Sequence, residues 1–364
     1  MTTALPERNL DLLRAIAVLC VLADHVLTVF NLDQSGVVTR WEIGRMGVLL
    51  FFVHTSLVLM SSLEREGPRH DWVRAFYIRR GLRIYPLVIA TVLLVVALRI
   101  PPSAERVATN LAVTPTLSTV ASNLTLTENL AGKPDVLSVL WSLPLEVQMY
   151  LMLPLCFVMA RRGVTAVVGG LLLAAMVGVG AEYSGVPGVW RLNILEFVPC
   201  FLGGILAYAI LRKGKRPAVR SWVWPLLLIA CVPLFVLLRP APDKPERGWL
   251  FCLGVGCAIP LAANLPKSIV TRVAHTVCTY SYSIYLLHLV ALWVAFTILR
   301  PSPAVVQWGT CVALLFALPA VFYRVIEHPG IRLGKRLVAI APRSSTRDGS
   351  RSTSRDSAPE LASR

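Results

Sequence analysis

Apolar residues in this chain come in long runs broken by short polar and basic stretches. About 20 apolar residues in an α-helix cross a bilayer core. That ruler marks ten runs: residues 10–30, 44–63, 84–99, 138–160, 164–181, 191–211, 221–239, 249–265, 277–299 and 303–325. The pattern predicts an all-α fold, a polytopic membrane helix bundle of about ten transmembrane helices. The third and fifth runs are short. Pro144, Pro154, Pro199, Pro225 and Pro233 fall inside runs, which a bundle tolerates because neighbouring helices satisfy the carbonyls that a proline frees.

Composition supports the membrane reading. Of 364 residues, 55% are hydrophobic and only 15% charged, against roughly 25% charged in soluble domains; mean hydropathy is +0.65. The net charge of +16 raises nucleic acid as a partner. However, the positive residues sit between apolar runs, with no basic domain interleaved by aromatics, and this excludes that class. They read instead as topology signals. Segments on one side of the predicted membrane carry 23 Lys and Arg, and the alternate segments carry ten. The positive-inside rule then puts both termini in the cytoplasm. The first run holds charges and no small-residue cleavage site, so it reads as a span rather than a cleaved leader. The eight cysteines all lie in apolar runs, without CxxC or zinc spacing, and read as small core residues with no metal site. Residues 1–341 form the expected transmembrane domain. The Ser/Arg-rich stretch 342–364 is expected to be a disordered cytoplasmic tail. The longest external loop, about 100–137, contains "ASNLTLTENL", a polar stretch suited to fold over the outer mouth.

Ionisable residues inside a membrane are expensive and mark polar cavities or partners. The first span holds several, in "RNLDLLRAIAVLCVLADHVLTVF". Arg14 and His25 are eleven residues apart, about three turns, so they share a helix face and lie about 16 Å apart along it. Asp11 lies near the same stripe and is a candidate partner for Arg14. The fourth span places Glu146 at a depth close to that of His25, with Gln148 and Tyr150 nearby. The ninth places His288 near mid-depth, with Ser281, Tyr282 and Tyr285 roughly on its face. A histidine with a carboxylate neighbour is the usual equipment for drawing a proton from a hydroxyl. Arg79, Arg80 and Arg83 lead into the third span. Guanidinium suits bidentate phosphate binding, although the same arginines serve equally as plain topological anchors. His54 lies in the second span and can face a cavity. Glu327, in "YRVIEHPGIRLGKRL", caps the last span and reads as structural.

These stretches resemble, in order and spacing, the membrane-bound acyltransferase-3 family, over about residues 8–337. "LDLLRAIAVLCVLADH" is similar to its first helix, with Arg14 and His25. "RRGLRIYP" resembles its Arg-x-x-Arg motif, at Arg80 and Arg83. "LWSLPLEVQMYLMLPL" resembles its segment with Trp141, Ser142, Glu146, Tyr150 and Pro154. "SYSIYLLH" resembles its segment with Ser281, Tyr282, Tyr285 and His288, and "YRVIEHPGIRLGKRL" resembles its close. The second span departs from the family pattern: an acidic residue and a glycine are lost, and His54 appears in "LLFFVHTSLVLM". The resemblance implies a multi-pass enzyme of the inner (plasma) membrane that O-acylates a glycan or other exported or envelope molecule. Its donor would be cytoplasmic acyl-coenzyme A, with acetyl-coenzyme A the first candidate. It implies Arg14, Arg80 and Arg83 for the donor, and His25, Glu146 and His288 for the chemistry, with His25 as base and Glu146 its helper. Trp141, Ser142, Tyr150, Tyr282 and Tyr285 would line the substrate site. Ten spans with buried charges also suit a transporter or flippase, but no repeat of two halves accompanies them. A non-catalytic scaffold is the third alternative.

Overall fold

The computed structural model describes residues 5–31, 40–66, 71–109, 114–214, 219–238 and 245–340. The described residues form helices and contain no strand beyond one isolated bridge, Val219 with Ala262. In chain order the helices are α1 (Glu7–Val29), α2 (Arg40–Glu66), α3 (Trp72–Leu98), α4 (Ala104–Thr109), α5 (Leu117–Thr125), α6 (Glu128–Ala131), α7 (Ser142–Arg162), α8 (Val164–Tyr183), α9 (Ile194–Arg212), α10 (Val223–Leu238), α11 (Pro245–Ala258), α12 (Ile269–Trp293), α13 (Ala304–Phe322) and α14 (His328–Ile340).

Eight helical stretches are long and apolar enough to cross a bilayer. They coincide with eight of the ten expected runs. The other two expected runs are α10 and α11, of 16 and 14 residues, short of the usual span. The third span begins earlier than its apolar run suggests. α3 starts at Trp72, so Arg79, Arg80 and Arg83 lie within the helix rather than in a loop before it. The last span does not stop at Glu327 either. A π-helical turn, Tyr323–Glu327, joins α13 to α14 without a break. The expected tail, 342–364, lies outside the described residues.

α1, α2 and α12 form the centre of the site. α1 packs on both α2 and α12, and α2 packs on α9, which in turn contacts α7, α8 and α11. α8, α13 and the outer face of α10 leave leucines, valines and aromatics exposed, among them Leu173, Leu237 and Phe316. That surface is apolar where lipid tails would meet it. Between helices there is little hydrophobic drive in lipid, so close backbone approach and hydrogen bonds fix the packing. Gly203 of α9 and Gly256 of α11 meet backbone to backbone; a Cβ on either would overlap the facing chain. Gly44 of α2 likewise abuts the side chain of Asp24 on α1. The start of α1 is held by Asn9, wholly buried. Its amide donates to Ala263 O (3.1 Å) and accepts from Leu265 N–H (2.9 Å), and its backbone carbonyl accepts from Trp224 Nε1–H (3.0 Å). Of the cysteines, Cys257 alone is exposed; five are buried and two half-buried.

Candidate active site

Four cavities line up along the bundle, each sharing wall residues with the next. The first, about 1150 Å³, opens at the end where the chain starts, and its walls include Arg8, Arg14, His54, Arg65, Arg83 and Lys267. The second, about 110 Å³, lies deeper; Arg14 and Arg83 line both, and its polar wall also includes Arg80, Glu146, Tyr150 and Tyr282. The third, about 250 Å³, shares Tyr285 with the second and contains His25, with Asp24, Arg45, Glu105 and Trp141 around it. The fourth, about 590 Å³, lies at the C-terminal end of α3 and shares Ser138 with the third.

Arg14 is held at the boundary between the first two cavities. Its Nε–H donates to Ser281 Oγ at 2.6 Å, and Ser281 passes its own proton to Cys278 O at 2.7 Å. The guanidinium also lies over the Phe51 ring, 5.8 Å from the centroid. Asp11 is not its partner: that carboxylate pairs with His275 at 2.8 Å. The reason is position on the helix. Asp11 faces the first cavity, where α12 brings His275, whereas Arg14 points inward. Arg80 keeps its Nε–H buried with no hydrogen-bond partner among the described residues. His54, 3% exposed, likewise keeps Nδ1 without one.

Glu146 lies across the second cavity from these arginines, and Tyr150, one turn on, donates its hydroxyl proton to it. Glu146 therefore does not meet His25 as expected. α7 turns Glu146 toward the arginine cavity, where a carboxylate balances positive charge. The hydroxyls of the expected substrate-lining group are also committed within the protein. Tyr285 donates to Val139 O at 2.8 Å and accepts from Ser142 Oγ at 2.7 Å, and Tyr282 donates to Ile84 O at 3.0 Å. These side chains shape the wall between the second and third cavities. Trp141 lines the third.

The neighbour of His25 is His288. Each ring hangs from its own helix by Nδ1: His25 at 2.9 Å from Val21 O, His288 at 3.0 Å from Ile284 O. A carbonyl only accepts, so both Nδ1 atoms carry the proton. His288 Nε2 then bears a lone pair, 3.1 Å from His25 Nδ1. The Nδ1–H of His25 is shared between Val21 O and His288, which leaves its Nε2 as the basic atom of the pair. Among the described residues nothing takes that atom, and the ring lines the third cavity.

Several site residues escaped the sequence reading. Arg8, Arg65, Lys267 and Arg272 rim the first cavity, yet in the sequence they are ordinary inside-positive residues. Arg45 reads as a stray loop charge; it lies at the third cavity and pairs with Glu196 at 3.0 Å. Glu327, 1% exposed, accepts from Ser283 Oγ at 2.7 Å, a structural contact between the last span and α12.

Residues 7–324 match the acyltransferase-3 family model, whose description is "Acyltransferase domain". No curated protein and no solved structure is significantly similar to the chain. The match spans most of the protein, which belongs to this family and is a multi-pass membrane acyltransferase.

Proposed function

We propose that this acyltransferase moves an acyl group, acetyl in the simplest case, from acyl-coenzyme A to a hydroxyl of a glycan or other envelope or exported molecule. The donor enters from the cytoplasm through the basic cavity, and the acceptor arrives from the opposite face of the plasma membrane. The observation that carries this reading is the row of adjoining cavities with Arg14 near one end and the unengaged Nε2 of His25 toward the other.

The donor fits the residues present. A nucleotide with several phosphates needs a wide, cationic vestibule, and the first cavity is both wide and basic. Arg14, Arg80 and Arg83 hold phosphate or the neighbouring polar groups, and the buried, unpartnered Nε of Arg80 is a donor awaiting an acceptor. Coenzyme A supplies the acyl group as a thioester, a better acyl donor than an ester.

The chain's own side chains supply the rest. His25 Nε2 takes the proton of the acceptor hydroxyl as its oxygen attacks the acyl carbon; the thioester C–S bond then breaks, and the imidazolium returns that proton to the departing sulfur, so that the coenzyme leaves as its thiol and His25 is neutral again. His288 accepts from His25 Nδ1–H, which fixes the tautomer and steadies the imidazolium as it forms. Glu146, held by Tyr150, offsets the charge of Arg14, Arg80 and Arg83. Trp141 and the Ser142–Tyr285 pair form the wall against which the acyl group is turned toward His25.

The test is direct. The purified full chain in lipid nanodiscs is given radiolabelled acetyl-CoA, with and without an envelope glycan extract. Labelled ester on the extract, lost in His25→Ala, is the expected result. Wild-type protein that neither binds acetyl-CoA nor releases CoA would overturn the reading.

A further inference from the structure

The fourth cavity has no part in the scheme so far, although it is larger than the pocket that holds His25 and adjoins it. It lies at the ends of two spans, between the end of α3, the start of α5 and the segment 134–138. At about 590 Å³ it is within the usual range for a small-molecule site.

Its walls are of two kinds. Val95, Val96, Ile100 and Val136 give an apolar face, and Arg99, Asp135 and Ser138 give a polar one. No side-chain hydrogen bond within the described residues uses these three polar groups. The Ser138 hydroxyl is buried and unpartnered. Asp135 is half-buried, and burial raises its carboxyl to about 7. Arg99 ends α3 in a left-handed conformation, φ 53°, a strained geometry that a non-glycine residue keeps only where its surroundings require it.

Building on the acyl-transfer reading, we infer that this cavity is the acceptor subsite: it binds a sugar ring, with Asp135 and Ser138 on its hydroxyls and the valine face against its C–H face, so that the adjoining hydroxyl enters the His25 cavity past Ser138. A carboxyl, a hydroxyl and a guanidinium lining one cavity match the mixed donors and acceptors of a polyol. An acyl chain or plain lipid tail would leave the buried Ser138 hydroxyl and the half-buried Asp135 carboxyl without partners, at a cost.

The test uses cells lacking the gene and complemented with the full chain, and reads alkali-released acetate in separated saccharide and lipid fractions of the envelope. Purified protein is assayed in parallel for acetyl-CoA binding. Asp135→Asn and Ser138→Ala are each expected to lower the saccharide ester about tenfold or more and to leave acetyl-CoA affinity at the wild-type value. Wild-type ester levels in both variants would overturn the subsite. So would ester carried on the lipid fraction, or loss of acetyl-CoA binding together with the ester, because the substitutions would then act through the fold. A wild-type chain that restores no ester in any fraction and binds no acetyl-CoA would sink the acyl-transfer reading itself, a separate outcome.

Discussion

His288 Nε2 lies 3.1 Å from His25 Nδ1, and the two residues come from helices at opposite ends of the chain. Because each ring also gives its Nδ1 proton to the carbonyl four residues earlier, the pair has one arrangement of protons and one basic atom, His25 Nε2.

Replacing His25 by alanine is therefore expected to preserve membrane insertion and acetyl-CoA binding and to lower transfer about 10²–10⁴-fold, the usual loss with a general base. His288→Ala is expected to cost less, because the base remains and only its orientation is lost. His54→Leu serves as the control: it lines the donor cavity and should mainly raise KM. Transfer rate and acetyl-CoA affinity, measured on one preparation of each variant, decide the matter. Normal transfer by His25→Ala removes it from the reaction.

Arg80→Ala and Arg83→Ala are each expected to weaken acetyl-CoA binding by about 1.5–3 kcal/mol, the worth of a hydrogen bond to a charged group. Lysine should rescue only in part, since a point charge replaces the fork. Titration of acetyl-CoA into nanodisc-embedded protein measures this. Unchanged affinity in both alanine variants would make the arginines topological anchors.

Glu146→Gln is expected to nearly abolish transfer. Its amide keeps the shape and the Tyr150 contact but leaves the buried arginines without their counter-charge. The defect should appear in donor binding as well as in turnover, since Glu146 faces the arginine cavity and not His25. A variant with wild-type kinetics would leave Glu146 a mere helix-to-helix contact.

Glu128 is 1% exposed, and neither carboxylate oxygen has a partner among the described residues. Burial, with Asp135 adding to it, raises its carboxyl to about 8. In the unfolded chain a glutamate ionises near about 4.3, so the folded protein holds a proton that the unfolded one releases. Its contribution to stability is full below that value and is lost as pH rises toward about 8. Thermal unfolding in detergent should show the wild-type midpoint falling across that window and Glu128→Gln falling less, with Asp135 supplying the residual slope. Parallel curves would refute this.

A fluorescent protein that is dark outside the cytoplasm, fused after residue 340, is expected to glow, as the 23-to-ten distribution of Lys and Arg predicts. An expressed but dark fusion would reverse the orientation and, with it, the sides assigned to donor and acceptor.

The sequence by itself determined much of the frame. Long apolar runs require helices, because a lipid-facing backbone must satisfy its own hydrogen bonds. Helical period put Arg14 and His25 on one face, and run position put Glu146 and His288 at similar depths. What only the tertiary structure decided was rotation and neighbourhood. Depth follows from counting residues along one helix, but the direction in which a side chain points across the bundle depends on how that helix packs. Thus Glu146 turned to Tyr150 and the arginines, and His288 of α12 took its place beside His25. Asp11 turned to His275. Gly44 reads as an ordinary small residue until α2 is laid against Asp24. Arg8, Arg65 and Lys267 read as scattered loop charges until three separate helix ends bring them around one cavity. Such contacts join residues up to 267 positions apart, and no local period along a single chain encodes them.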